Sequence, residues 1–122
     1  MRRIALLSIL FAAACGNSGP AGDFTNAWKL AGLDPQGFNS VDAKNLGGKC
    51  QAGKVSGVDT TLCEYETADA AKQAEAAGLA QVGDTTGASL AQGKYLLVLA
   101  DRGRADPNGK KIRDIAAAFR NR

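Results

Sequence analysis

The feature that most restricts what this chain can fold into is a pair of cysteines, Cys50 and Cys63, set symmetrically about Ser56-Gly57. A Ser-Gly step between two strand-like runs reads as a two-residue hairpin turn. Folding about it sets Val55 opposite Val58, Lys54 opposite Asp59, Gly53 opposite Thr60, Ala52 opposite Thr61, Gln51 opposite Leu62 and Cys50 opposite Cys63. If the pair closing the turn is hydrogen-bonded, alternation makes the cysteine pair a non-hydrogen-bonded one with Cα atoms ~4.5 Å apart. A disulfide accepts that spacing, and closing the loop is expected to stabilise the fold by about 3 kcal/mol. The Lys54–Asp59 cross-strand pair adds a few tenths at most. Strand alternation places Val55, Val58 and Leu62 on one face and both cysteines on the other.

The N-terminus bears on whether that disulfide forms. Met1 is followed by Arg2 and Arg3, an apolar run from Ile4 to Ala13, then Ala14 and Cys15. This is the charged, apolar, small-residue order of an export signal, and the run falls short of the roughly 20 residues needed to span a bilayer. The next residues, Gly-Asn-Ser-Gly-Pro-Ala-Gly at 16–22, read as a flexible tether.

The segment Leu10-Phe11-Ala12-Ala13-Ala14-Cys15 resembles the lipobox of bacterial lipoproteins. The resemblance implies a signal peptide over 1–14, acylation of Cys15, and a membrane partner reached through the lipid. Each buried methylene contributes ~0.8 kcal/mol, so two or more chains anchor stably. Gly16 and Asn17 stand where lipoproteins held in the inner membrane carry Asp, so the resemblance favours the outer membrane. Ala12 occupies a position that is usually Leu, and Ala12 with Ala14 also fits the A-x-A pattern of ordinary secretory cleavage. A secreted or periplasmic soluble protein is therefore the alternative. With Cys15 lipidated, the three cysteines leave Cys50 and Cys63 as one pair in an oxidising compartment, where a structural disulfide is the default.

Residues 23–122 suffice for a single domain with a modest core. Thr25 is placed to cap a short helix in which Phe24, Trp28 and Ala31 share a face. Phe38, Val41 and Leu46, after Ser40 as cap, carry a weaker helical pattern that closes at Gly47-Gly48. After the hairpin 49–65, Thr67 caps a helix whose inner stripe, Ala70, Ala71, Ala74 and Ala77, is small enough to lie close to a sheet, with Gly78 as its end. A second hairpin over 82–101 turns near Gln92-Gly93, and its return strand Tyr95–Leu99 is apolar on both faces, as in a buried central strand. Asp106-Pro107 opens a last helix with Ile112, Ile115, Ala116 and Phe119 on one stripe. The expected fold is α+β: two β-hairpin–helix units forming a four-stranded, mostly antiparallel sheet covered by helices, after a short helical N-terminal segment.

The sequence has no histidine and no methionine beyond Met1, which excludes Ser-His-Asp catalysis, histidine-based zinc sites and thioether copper sites. The stretch from Gly87 to Tyr95 approaches a P-loop but has one residue too many between its glycines and Tyr95 where Ser or Thr should bind magnesium, so it reads as a hairpin turn. Asp101, Asp106 and Asn108 near Gly109 lack EF-hand spacing and read as a turn into a helix cap. No cofactor and no metal are expected. Removing Arg2 and Arg3 with the signal leaves thirteen basic against twelve acidic residues, and the basic ones gather in 101–122. A nucleic-acid role would need aromatic platforms or a larger basic surface, so none is expected.

The candidate binding surface comprises Trp28 and Tyr65, since aromatic side chains anchor contacts, with Lys110, Lys111, Arg113 and Arg120 for an anionic or cell-wall surface. Burial of both aromatics and a solvated helix face for the basic residues are the simpler readings of the same residues. Two catalytic alternatives remain. One is a redox dithiol at Cys50 and Cys63, although catalytic thiols usually occur as C-x-x-C at a helix N-terminus. The other is a carboxylate pair, Glu64 and Glu66. The sequence by itself points to a non-catalytic, lipid-anchored envelope domain that binds another envelope protein or a cell-wall component.

Overall fold

The β-hairpin about Ser56-Gly57 is the frame on which the rest of the structure is built. The structure is a computed structural model that describes residues 19–121. Its strand β2 (Lys49–Val55) pairs with β3 (Val58–Glu64) in the register expected at every position. Ser56 and Gly57 both take positive φ, 50° and 88°, as a I′ turn requires. Cys50 and Cys63 form a disulfide with Cα atoms 4.0 Å apart. The signal segment 1–14, Cys15 and Arg122 lie outside the described residues.

The sheet has five strands where four were expected, all antiparallel, in the order β1-β2-β3-β5-β4. The additional one, β1 (Pro35–Val41), occupies the segment whose weaker pattern suggested a helix. Asn39, Ser40 and Val41 are poor helix formers, and the outer edge of β2 offers backbone groups that need partners. Non-local pairing therefore wins over a three-residue apolar pattern. Phe38 stacks on Trp28, with ring centroids 5.8 Å apart, and its ring sits so close to Gly53 that a Cβ there would fall 2.8 Å from it. Leu46, the last residue of the supposed helix, instead covers the disulfide.

Helix α1 (Ala21–Leu30) begins four residues before Thr25, which lies inside it and donates its hydroxyl to Gly22 O. The start is set from a distance: the Ala21 N–H donates to Gln51 Oε1 at 2.8 Å. Pro20 and Ala21 are buried, so residues 19–22, read from the sequence as tether, are seated on the domain. Phe24 and Trp28 face the core, whereas Ala31 ends the helix exposed.

Thr67 caps the next helical segment as expected, accepting the Ala70 N–H at 3.1 Å. Helical structure runs as α2 (Ala68–Gln73) and, after a break at Ala74, α3 (Glu75–Val82). Gly78 lies within α3 rather than ending it. A glycine there costs roughly 1 kcal/mol of helix propensity, but a Cβ would collide with Ser89 Oγ and come within 2.8 Å of a Val98 methyl. The missing side chain is what lets α3 lie on the sheet. The second hairpin, β4 (Gly87–Gln92) and β5 (Tyr95–Ala100), turns at Gly93-Lys94, one residue later than expected, with Gln92 paired to Tyr95. Helix α4 (Lys110–Arg120) buries the expected stripe, with Ile115, Ala116 and Phe119 inside and Ile112 packed against them.

The sheet thus separates two cores. Val55, Val58, Leu62, Leu97 and Leu99 pack against α1 and α4 through Phe24, Trp28, Ile115 and Phe119. On the opposite face, the disulfide, Leu96, Val98 and Ala100 pack beneath Leu46 and Val82. Strand β5 feeds both cores, which is why it is apolar on both faces.

Candidate functional site

The residues expected to act at a surface divide between core, scaffold and solvent. Trp28 is wholly buried, and its Nε1–H donates to Ile115 O at 3.1 Å, tying α1 to α4. It is a core residue, the outcome that burial rather than a surface role would give. A buried tryptophan keeps its place by finding an acceptor for that N–H, and the α4 carbonyl supplies one. Tyr65 is half-buried and donates its hydroxyl to Leu46 O at 2.6 Å, and burial raises its pKa above the ordinary tyrosine value.

The basic residues of α4 do not form one patch. Lys110 pairs with Asp114 at 2.8 Å. Lys111 is half-buried, its ammonium donating to Ala105 O at 3.1 Å and Ser56 O at 3.3 Å, so it ties the loop before α4 to the β2–β3 turn. Arg113 and Arg120 are exposed, two turns apart on one helix stripe, and neither forms an ion pair with another described residue.

Cys50 and Cys63 form the disulfide, and both are buried. Glu64 and Glu66 both border an open groove of about 850 Å³ together with Lys49, Tyr65, Thr67 and Lys94. Glu64 is half-buried at the end of β3 and Glu66 is exposed beyond it.

Asp101 and Asp106 are both buried, and backbone N–H groups occupy their carboxylates. Asp101 accepts from Ala105 and Asp106 at 2.8 and 2.9 Å, and Asp106 accepts from Lys111 and Ile112 at 2.9 and 2.8 Å. Burial pushes the Asp106 carboxyl up, but the N–H groups of Ile112 and Lys111 and the nearby Lys111 charge outweigh it, leaving its pKa below the usual value. Asp106 therefore caps α4 from outside the helix. Among the described residues, no group of three or more Asp, Glu, Cys or His side chains is arranged to hold a metal ion.

The most exposed strand among the described residues is β1, which sequence reasoning did not single out. Helices α2 and α3 cover β4 and β5 on the disulfide face and leave the β1–β2–β3 half of that face largely open. Cross-strand pairing aligns Val41 with Cys50, Asn39 with Ala52 and Thr61, and Gln36 with Lys54 and Asp59. Of these, Gln36, Asn39, Val41 and Lys54 are exposed. Two troughs border the strand. One, of about 590 Å³, runs between Asp34, Gln36, Lys54 and Asp59 over a floor of Ala52 and Gly53. The other, of about 550 Å³, lies between Ser40, Val41, Lys49 and Gln51 beside Gly19 and Pro20. Small floor residues and a rim of carboxylates, amides and lysine suit a polar extended segment rather than a deep apolar ligand. Compared with family models, with curated proteins and with solved structures, the chain matches none.

Proposed function

We propose that the protein is a lipid-anchored, non-catalytic component of the cell envelope whose domain binds another envelope protein or cell-wall component through the open half of its sheet. The observation that carries the binding part is the uneven cover of the sheet: helices seal the β4–β5 half on both faces, while Gln36, Asn39, Val41 and Lys54 stand exposed on the other half. The anchoring part rests on the order of residues from Arg2 to Cys15 and on its resemblance to a lipobox. With Pro20 and Ala21 seated on the domain, only residues 16–18 separate Cys15 from Gly19, a span of at most about 14 Å. An acyl chain on Cys15 would hold the trough beside Gly19 close to the bilayer.

A photo-crosslinking amino acid at Asn39, with Ala117 on the outer face of α4 as reference, tests the binding part in the native cell. A discrete adduct from position 39 and none from 117 is expected. Equal or absent labelling at both positions would contradict the assignment of the open face.

A further inference from the structure

Residues 19–22 join the domain at one end of the sheet and are held there. The Ala21 N–H donates to Gln51 Oε1 at 2.8 Å, and Ala21 is buried in the core with Phe24 and Trp28. Gly19 runs so close to Gln51 that a Cβ on it would fall 2.7 Å from Oε1. Gln51 lies two residues into β2, beside the end of the sheet where Lys49, Glu64, Tyr95 and Gln92 pair in a row across β2, β3, β5 and β4. The opposite end, at the Ser56-Gly57 turn, lies five residues further along β2, about 17 Å away.

The chain outside the described residues is short at this point. Only residues 16–18 separate Cys15 from Gly19, so an acylated Cys15 keeps Gly19 within about 14 Å of it. A link that short holds the rim of the adjoining trough, formed by Ser40, Val41, Gly48 and Lys49, at an effective concentration of about millimolar against lipid. Contacts too weak to recruit a free protein then suffice. Val41, one of three large apolar side chains exposed among the described residues, stands on this rim, and covering it removes apolar surface from water. Charges of both signs flank the rim: Asp42 and Lys44 follow Val41, Asp23 follows the buried Ala21, and Lys49 is paired across the strands with Glu64. Attraction to anionic headgroups is therefore not what holds it.

We propose that this end of the domain rests on the bilayer that holds Cys15, kept there by the short link, with Ser40, Val41, Gly48 and Lys49 against the lipid headgroups and the Ser56-Gly57 turn directed away. The trough bounded by Asp34, Gln36, Lys54 and Asp59 then stands clear of the membrane and is the one that a partner reaches. This rests on the lipid-anchored reading above.

The test is paramagnetic relaxation of backbone amides in the mature protein, purified from membranes and placed in nanodiscs of zwitterionic lipid carrying a gadolinium-chelating headgroup. The amides of Ser40, Gly48 and Lys49 are expected to relax several-fold faster than those of Asp34 and Gly57. Lengthening the link by about twelve Gly and Ser residues between Asn17 and Ser18 should remove the difference. Equal relaxation at all of these amides, fastest relaxation at Asp34 and Gly57, or a difference that survives the longer link would overturn the apposition while leaving an anchored protein. A chain recovered from membranes without acylation at Cys15 would remove the anchored reading and this inference together.

Discussion

The backbone N–H of Ala21 is capped by the side chain of Gln51, thirty residues later in the second strand of the sheet. This bond fixes where α1 begins and seats residues 19–22 on the domain. Gln51→Ala is expected to cost about 1 kcal/mol, as the loss of a helix cap does. Denaturant titration should show a lower midpoint with unchanged slope, and the Ala21 and Gly22 amides should exchange faster.

Replacing both Cys50 and Cys63 with Ala should destabilise the domain by about 3 kcal/mol through the freed unfolded chain, with a further loss from the space left beneath Leu46. Equilibrium unfolding of the variant and of the reduced wild type checks this. The reduced wild type should lose the crosslink contribution alone, and the variant should lie below it by the cost of the cavity.

Gly78→Ala inverts the usual rule for helices. In an open helix it would stabilise by roughly 1 kcal/mol, but here the new methyl meets Ser89 Oγ and Val98, and a loss of about 1–3 kcal/mol is expected, as for overpacking. Combining it with Ser89→Gly should recover part of the loss, giving a coupling energy in a double-mutant cycle.

Asp106 makes stability depend on pH. Its folded pKa lies below the usual value, so its contribution is fully present above the unfolded pKa of about 3.9. It is lost as pH falls through the lower folded value. Asp106→Asn should cost about 1–3 kcal/mol at pH 7, because one of the two half-buried N–H groups of Lys111 and Ile112 loses its acceptor. The variant should also lose less than the wild type between pH 5 and 2, as read by denaturation at stepped pH.

Glu75→Ala should unplug the β4 edge by freeing the Ala91 N–H. Sedimentation velocity is expected to show concentration-dependent self-association absent from the wild type, since an unguarded edge templates pairing between chains.

The elements legible in the sequence are those specified locally. The register of β2 and β3 follows from a two-residue turn and period-two alternation, and the α4 stripe from its 3.6-residue period, with no knowledge of the rest of the chain. Strand β1 was illegible because it exists only where β2 supplies a partner, and the start of α1 because its cap comes from Gln51. Gly78 looks like a helix stop until Ser89 is seen beneath it. Trp28 could not be assigned to core or surface from sequence, since an aromatic ring serves both and the deciding acceptor, Ile115 O, lies 87 residues away. The open face went unread because Gln36, Asn39 and Ser40 carry no chemical signature. Its nearest sequence signal is an uncharged strand between Asp34 and Asp42.

The measurement that bears most directly on the anchored, disulfide-braced envelope domain proposed here is the intact mass of the protein extracted from membranes, taken before and after reduction. A chain beginning at an acylated Cys15 that gains two hydrogens on reduction is expected. An unacylated chain cleaved elsewhere, or free thiols at Cys50 and Cys63 before reduction, would contradict it.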